Sequence, residues 1–508
     1  MAPRSTSLTL LACLLGTLLP LAGDALAGQG ASAGCGLGGR KVCLPQGQRK
    51  ADDRVSVGGT TGQFHGRLVL TDGQGRTLEL GKPGKFRFPR AVQPGHAYDI
   101  RVLTHPPTQI CTVVNGQGVA LGPVDNLQVE CRTGRPSPLH AFGGGAEGIA
   151  QGVGPASTFV EDAKGRLYTM TSGGDYFDQG VVMRYDPAEH SMELLHHFVG
   201  LGPGRVAYKL SLGPDGAMYG VLNTGGLHNL GAIFRISPDG EGLEIVHTFD
   251  SREQGAGPSS PLLLAQDGKS FYGVTHSGGA NDRGTLYQVG LDGQHRVLHA
   301  FGDTHGPDGK EIPASERLFM PQGEIQYDTK GRIVGMANRS AQGNGGVYAY
   351  QVDKGVYTML GQIEDDVELN AEGLMRSRDG SLYGMLSGAA PRSGGRLLVI
   401  SPKGKIDFWR LQLDNHPYGL QAFRGTLAEA SNGLLYGATA EGGDEDAGTI
   451  FGIYPSHKYV QVMLSFSRDP TAVGHRADAG VMFARDGRLY ASTSAGGEND
   501  AGTLFRVD

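Results

Sequence analysis

Acidic and amide side chains recur in the glycine-rich stretches of this chain. Their oxygens are the ligands that a hard cation such as calcium prefers, and calcium takes about six to eight of them. Acids converging from several stretches would supply part of such a site. The alternative is that they are solvated turn residues selected for local hydrogen bonding. The candidate ligand-binding residues of this kind are Asp175, Asp178, Asn281, Asp282, Asp444, Glu445, Asp446, Glu498, Asn499 and Asp500.

Histidine and arginine recur just as regularly. Each of four histidines stands two residues before a phenylalanine: His140, His196, His247 and His299. A catalytic base is usually unique in a chain, so a histidine that returns in unit after unit favours a packing or hydrogen-bonding role. The recurrent Arg184, Arg235 and Arg506 are interpreted in the same way, and no residue is assigned a catalytic role.

One irregular segment, "FGDTHGPDGKEIPASERLF", departs from this repetition. It offers His305, Asp308, Lys310 and Glu311 as ligand contacts, because an inserted loop over the mouth of a channel is where binding is commonly grafted. A plain surface insertion is the alternative. The sequence has no G-x-S-x-G, P-loop or H-E-x-x-H motif. A glycosidase pair of carboxylates stays open, because its two acids need not be close in sequence.

The elements that must position these residues form a tandem repeat. Seven segments share a turn glycine followed by a Leu-Tyr-Gly-like core, for example "GAMYGVL" and "GLLYGAT". The turn glycines are Gly165, Gly216, Gly268, Gly331, Gly380, Gly433 and Gly487. A period of about 50 residues suits one four-stranded propeller blade. The longest interval, Gly268 to Gly331, contains the irregular segment.

The last repeat stops after its third strand, at "GTLFRVD", whereas earlier copies continue to a phrase like "VLHAF". The sequence "PLHAF" stands alone at 138–142. We therefore expect this early strand to pair with the C-terminal hairpin and to complete the seventh blade, since closure removes exposed sheet edges. The prediction is an all-β chain with a seven-bladed β-propeller at 138–508.

The chain before the propeller has three predicted parts. Residues 1–27 have a basic start, an apolar run and a small-x-small ending, typical of a cleaved signal peptide. The alternative is a lipoprotein signal in which Cys13 is the lipidated residue. Residues 28–51 are predicted to be flexible, 52–133 to form a small β-sandwich and 134–137 to link it to the propeller. By proximity, the remaining cysteines pair as Cys35–Cys43 and Cys111–Cys131, with metal binding as the alternative.

Two resemblances rest on these motifs. The unit "LYGxT–GG–GTLFR–LHAF" resembles the GloVer tandem repeat of exported bacterial proteins, over about 138–508. The segment "CTVVNGQGVALGPVDNLQVEC" is similar to a small disulfide-bonded β-domain near the N-terminus of bacterial surface proteins. GloVer proteins often carry a C-terminal anchor, and its absence here implies a soluble form. Both resemblances imply a class and a periplasmic or extracellular location.

Composition narrows the function. A net charge of −6 over 508 residues, with no basic run, excludes a nucleic-acid footprint. The single Trp409 argues against a kelch propeller. The preferred hypothesis is a monomeric, non-catalytic binding or scaffold propeller for a glycan or a protein, with no transmembrane segment and no cofactor. A bound calcium ion is the alternative to the absence of a cofactor. The rival is a glycosidase or lyase with its site at the channel mouth.

Overall fold

The structure is a computed structural model that describes residues 54–507 except for 65–66, 73, 90–91, 105, 107–108, 134, 145–151, 156, 175–179, 199–208, 307–308, 342, 344, 364–366, 369–372, 389–394, 412–419, 424, 431–432, 456–457 and 470–472. It is all-β, and its sheets are mainly antiparallel. Within these residues no helix has the length and apolar character needed to cross a membrane.

Nine strands precede the repeat. They are β1 (Val57–Thr61), β2 (Leu68–Thr71), β3 (Thr77–Leu80), β4 (Lys85–Arg87), β5 (His96–Asp99), β6 (Arg101–Thr104), β7 (Gln109–Val114), β8 (Gln117–Ala120) and β9 (Val124–Thr133). They form the sheets β4-β1-β9-β7, β3-β2-β6 and β5-β8. Alternating residues such as Leu68, Leu70 and Val102 point into one core. The predicted bridge Cys111–Cys131 is confirmed and joins directly paired residues of β7 and β9. Cys35 and Cys43 lie outside the described residues.

The repeat begins with β10 (Pro136–Ala141) and continues as seven sheets, numbered here in chain order. Sheet 1 contains β11 (Val153–Pro155), β12 (Val160–Glu161), β13 (Leu167–Gly173), β14 (Val181–Asp186) and β15 (Ser191–His197). Sheet 2 contains β16 (Ser211–Leu212), β17 (Met218–Leu222), β18 (Ala232–Ile236) and β19 (Glu244–Thr248). Sheet 3 contains β20 (Ala256–Pro258), β21 (Leu263–Leu264), β22 (Ser270–Ser277), β23 (Thr285–Gly290) and β24 (His295–Ala300).

Sheet 4 follows a short 3₁₀ turn at Ala314–Glu316 and contains β25 (Leu318–Tyr327), β26 (Ile333–Ser340), β27 (Gly346–Gln351) and β28 (Val356–Gln362). Sheet 5 contains β29 (Val367–Glu368), β30 (Leu374–Arg376), β31 (Leu382–Gly388), β32 (Gly395–Ile400) and β33 (Ile406–Leu411). Sheet 6 contains β34 (Leu420–Phe423), β35 (Ala428–Glu429), β36 (Leu435–Gly442), β37 (Thr449–Tyr454) and β38 (Tyr459–Ser465). Sheet 7 contains β39 (Val481–Phe483), β40 (Leu489–Ser492), β41 (Thr503–Val507) and β10.

The strand that was predicted to complete the last sheet does so. β10 pairs antiparallel with β41, with His140 opposite Leu504 and Pro138 opposite Phe505. The register skips one residue at Leu139, which is therefore a β-bulge. In the paired order of each sheet the strands are called first to fourth, and the fourth strands are β15, β19, β24, β28, β33, β38 and β10. The fourth strands of sheets 1, 2, 3, 4 and 6 skip one residue at the corresponding place. β10 precedes the other strands of its sheet in the sequence, yet it carries the same bulge as fourth strands that follow theirs.

Neighbouring sheets bury their faces against each other. Among the described residues, six hydrophobic clusters join consecutive sheets from the 1–2 pair to the 6–7 pair. A seventh joins sheet 7 back to sheet 1, where Phe142, Tyr490 and Leu504 contact Phe159 and Leu167. The phenylalanine that ends each "HxF" phrase enters the cluster shared with the next sheet, as Phe142, Phe198, Phe249 and Phe301 do.

Glycines in the second strands face an aromatic ring of the adjacent strand. A Cβ on Gly273 would lie 2.3 Å from the Tyr287 hydroxyl, and one on Gly437 would lie 2.4 Å from Cζ of Phe451. In both cases the aromatic residue is the direct cross-strand partner on the third strand. The glycine makes room for that ring to lie across the strand.

We predict that Phe142→Ala lowers the free energy of unfolding by about 3–5 kcal/mol, because the ring is fully buried between sheets 7 and 1. Phe249→Ala, between sheets 2 and 3, should cost a similar amount. Val297→Ala, on an exposed side chain, should cost no more than about 0.5 kcal/mol. Urea unfolding of the three variants measures this. A Phe142→Ala variant as stable as Val297→Ala would contradict the role of the closing strand.

Candidate functional site

Four glycine-rich loops between second and third strands share one hydrogen-bonded frame. They are Gly225–Gly231, Gly278–Gly284, Gly442–Gly448 and Gly496–Gly502. In each, an Asp or Asn side chain accepts the N–H of the first glycine at 2.8–3.0 Å. The last glycine donates back to the carbonyl of the first at 2.9–3.1 Å. We call these four segments the glycine loops.

The Asp or Asn of each glycine loop adopts a left-handed conformation, with φ between 50° and 57° at Asn229, Asp282, Asp446 and Asp500. Asn and Asp tolerate this region because their short side chains bond locally. Three of the predicted ligand residues, Asp282, Asp446 and Asp500, therefore close their own loops. These three acids thus make the local hydrogen bonds that the alternative interpretation of the sequence, as turn residues, expects.

The other candidates in the glycine loops are held in separate places. Asn281 donates to Asp303 at 2.7 Å, and Asn499 donates to the carbonyl of Phe142 at 3.0 Å. Glu445 accepts from the Ser467 hydroxyl. The remaining described candidates, Asp444 and Glu498, are exposed, while Asp175 and Asp178 lie outside the described residues. Within the described part of the chain, no three acids, histidines or cysteines are grouped to hold a metal ion.

The glycine loops also fasten each sheet to the next, which the sequence reasoning missed. The carbonyl that follows each closing Asp or Asn accepts a backbone N–H from the first segment of the neighbouring sheet. The four pairs are Gly257 to Leu230 at 2.9 Å, Met320 to Arg283 at 2.8 Å, Arg476 to Ala447 at 2.9 Å and Gly154 to Ala501 at 3.1 Å. All four donors have φ between 59° and 63°. In the sequence, three of these four donors are directly followed by proline: Gly154-Pro155, Gly257-Pro258 and Met320-Pro321. This pair could have indicated the contact.

The recurrent histidines pack edge-on against the phenylalanine two residues later. The ring centroids of His140, His196, His247 and His299 lie 5.3, 5.5, 5.1 and 5.0 Å from their phenylalanines. Burial lowers the pKa of all four histidines. The packing interpretation from the sequence holds for these residues. The recurrent arginines are also structural where they are described: Arg235 donates to Asp215 at 2.8 Å, and Arg184 bonds Glu193.

The described residues of the irregular segment form the two sides of a hairpin. His305 and Glu311 face each other in an antiparallel bridge, and the N–H of Ile312 donates to Thr304 at 2.8 Å. Arg317 holds the base through the carbonyl of Ile312 at 2.9 Å and through Glu311 at 3.3 Å. Asp308 lies outside the described residues.

The hairpin walls a cavity of about 420 Å³ that we call the rim cavity. Its other walls are the fourth strands β24 and β28, with Val297, His299 and Tyr357. The cavity lies against the fourth strands of sheets 3 and 4, with His305, Lys310 and Glu311 in its lining. Asp303, also in the lining, accepts a hydrogen bond from Asn281 of the glycine loop Gly278–Gly284.

Aromatic rings form the floor of the rim cavity. His299 and Tyr357 stack with centroids 4.3 Å apart and planes 13° apart. The Tyr357 hydroxyl donates to the carbonyl of Glu316 at 3.2 Å, and the Tyr350 hydroxyl donates to the carbonyl of Leu298 at 2.8 Å. Burial lowers the pKa of His299 to about 4, so its imidazole is neutral at pH 7.

A second set of charges joins sheets that are not neighbours. The ammonium of Lys209, next to β16 of sheet 2, lies 3.9 Å from Glu324 on β25 of sheet 4. Gln326 donates to the same carboxylate at 3.1 Å. β16 and β25 are the first strands of their sheets, so the pair joins the first-strand edges of sheets 2 and 4.

The family follows from a match to the whole repeat. The Gloeobacter/Verrucomicrobia repeat family matches residues 127–319 and 320–508, and the chain belongs to this family. No curated protein matches the chain.

Solved structures with low identity align with much of the chain. An oligogalacturonate lyase in complex with manganese shares 10% identity over 74% of this chain and 97% of its own, with a TM-score of 0.44. An oligogalacturonate lyase from Vibrio parahaemolyticus shares 11% identity over 74% of this chain and 94% of its own, with a TM-score of 0.45. A GH74 enzyme from Niastella koreensis shares 14% identity over 70% of this chain and 52% of its own, with a TM-score of 0.47. No inference about activity rests on similarities at this level.

We predict that Asp500→Ala destabilises the protein by about 1–2 kcal/mol, because it removes a charged acceptor and leaves alanine in a left-handed conformation. Asp500→Asn should stay within about 0.5 kcal/mol, since Asn229 occupies the corresponding place in its own loop. Glu498→Ala, on an exposed side chain, should be equally neutral. Equilibrium unfolding in urea compares the three. Equal effects of Asp500→Ala and Glu498→Ala would contradict the loop-closing role.

The stacked pair His247 and His295 predicts acid sensitivity. The rings lie 4.6 Å apart and nearly parallel. Burial, and then the neighbouring His247, lower the pKa of His295 to about 4 from 6.5. Between these values the unfolded chain binds a proton that the folded chain excludes, so stability falls as the pH drops. The melting temperature should fall by several degrees from neutral to mildly acidic pH, and by clearly less in His295→Phe. Parallel profiles of the two proteins would contradict this assignment.

Proposed function

We propose that residues 138–508 form one closed seven-bladed β-propeller, with the seven sheets as its blades. Three observations support closure. The strand β10 pairs with β41, the buried clusters follow one another from sheet 1 to sheet 7 and back, and the bond from Gly154 to Ala501 repeats between sheets 1 and 7 the contact made elsewhere. A propeller needs each of these, because no sheet face is then left uncovered.

We further propose that the protein is exported, with residues 1–27 as a cleaved signal peptide and 28–51 as a flexible segment. Residues 52–133 would be the small β-sandwich and 134–137 the link to the propeller. The disulfide Cys111–Cys131 supports an oxidising compartment, since such bridges are rare where thiols are kept reduced.

Within that compartment we propose a non-catalytic binding or scaffold role, with a glycan or a protein as ligand. The observation that carries this is the use made of the repeated polar residues. Asp282, Asp446 and Asp500 close loops, and the recurrent histidines pack on phenylalanine. The hairpin over sheets 3 and 4 departs from the repeat, and it walls a cavity of the size that small ligands occupy.

A screen of the secreted protein against glycans and envelope extracts tests the binding role. Ligand at about 100 times its Kd should stabilise the fold by about 2.7 kcal/mol, seen as a higher melting temperature. The covalent structure of the ligand should be unchanged after long incubation. Specific turnover of a polysaccharide would overturn the non-catalytic role.

A polysaccharide-active enzyme with its site at the channel mouth is the second candidate, favoured by the pair Lys209–Glu324. A carboxylate beside a cation can exchange a proton with a substrate. The enzyme hypothesis predicts new reducing ends from a polysaccharide panel, lost by about 100-fold or more in Glu324→Gln. Turnover that survives Glu324→Gln, or no turnover at all, would remove this candidate site.

A further inference from the structure

We propose that the rim cavity binds one neutral sugar ring at the end of an oligosaccharide. This inference rests on the proposed binding function and names its site and ligand class. It places the ligand at the fourth strands of sheets 3 and 4, beside the inserted hairpin.

The shape of the rim cavity fits a small ligand that is only partly surrounded. Its volume of about 420 Å³ lies near the lower end of the range for small-molecule sites. The walls are preformed: the hairpin is held at its base by Arg317, and the Tyr357 hydroxyl ties the 3₁₀ turn to β28. A preformed wall spares the ordering cost that a flexible loop would add to binding.

The lining combines an apolar floor with hydrogen-bonding groups at the edge. Val297 and Val356 are 38% and 42% exposed, and both present apolar surface to the cavity. Tyr357 and His299 continue this floor as a stacked pair. A sugar ring has the matching character, since its C–H face is apolar and its edge carries hydroxyl groups. Aromatic and aliphatic side chains cover such a face without requiring charge.

The polar groups of the lining require a ligand with several donors. Asp303, Glu311 and Glu316 contribute carboxylates, which only accept hydrogen bonds. Hydroxyl groups donate to such oxygens and accept from the Lys310 ammonium at the same edge. The neutral imidazole of His299, with one donor and one acceptor nitrogen, can do either.

The charges at the site favour a neutral ligand. Glu311 is paired with Arg317, and Asp303 accepts from Asn281. Lys310 contributes a positive charge to the lining and Glu316 a negative one. Because charges of both signs line the cavity, it presents no large excess of one sign to a uronate or to an amino sugar.

The fourth strands of sheets 1 and 2 carry the same histidine but are not followed by the hairpin, so comparing them with β24 shows what is particular to the rim cavity. His196 and His247 stand at the same position in sheets 1 and 2, each packed on its phenylalanine. The interval between successive turn glycines is longest, at 63 residues, from Gly268 to Gly331, where the hairpin follows His299. The cavity is therefore an addition to one unit of the repeat.

The test is binding of the full mature chain to an array of neutral gluco-, xylo-, manno- and galacto-oligosaccharides, with chitosan oligomers and oligogalacturonates as charged arms. We expect at least one neutral series to bind. His299→Phe keeps the stacked ring and removes its nitrogens, and should weaken binding by about tenfold. Val356→Trp fills the mouth and should weaken it by about 100-fold.

Matched controls separate the site from the fold. His196→Phe and Ile245→Trp make the same changes on fourth strands outside the rim cavity and should leave the Kd within about twofold. All four variants should melt within a few degrees of the wild type. A neutral glycan that binds wild type and both cavity variants equally overturns the site while the binding function stands. Binding only of charged oligosaccharides overturns the ligand class, and binding of no oligosaccharide on the array overturns the sugar site. The screen against envelope extracts decides separately whether the binding function stands.

Discussion

The pairing of β10 with β41 is the contact on which the rest of the repeat depends. Each sheet has two apolar faces, and only its neighbours can cover both. Sheets 1 and 7 would each keep one face in water if the array stayed open. The strand from 136–141 completes sheet 7, and the phenylalanine after it reaches sheet 1. The same short segment therefore supplies both the missing strand and the missing interface.

A division of labour follows from this geometry. Residues that recur in every unit are used to build the array, because each unit has the same turns to close and the same neighbour to contact. The glycine loops show this most clearly: one side-chain oxygen closes the loop, and the next carbonyl holds the adjacent sheet. Specific recognition must then come from positions where the units differ. The hairpin between sheets 3 and 4 is such a position, and so is the pair Lys209–Glu324.

Much of the fold could be predicted from the sequence because the repeat is written in local signals. Turn glycines and alternating apolar residues indicated the strands, and the displaced "PLHAF" predicted the pairing with the C-terminal hairpin. Proximity was sufficient for Cys111–Cys131. The direction in which the irregular segment folds was not predictable, because it depends on Arg317 and on a tyrosine of the following sheet. Spacing alone also does not show that the carboxylate of Asp500 faces its own loop. The bulge before each histidine was also missed, because a skipped residue leaves no mark in composition.

The register of β10 on β41 has a mechanical consequence. Pro136, the first residue of β10, lies opposite Val507, the last residue of β41. A force that separates residue 136 from residue 507 therefore acts at one end of the strand pair and stretches its hydrogen bonds one after another. Strands pulled in this way peel apart under a much smaller tension than strands that must slide past each other. If the N-terminal domain were held by a surface while residue 507 was drawn away, sheet 7 would be the first to come undone.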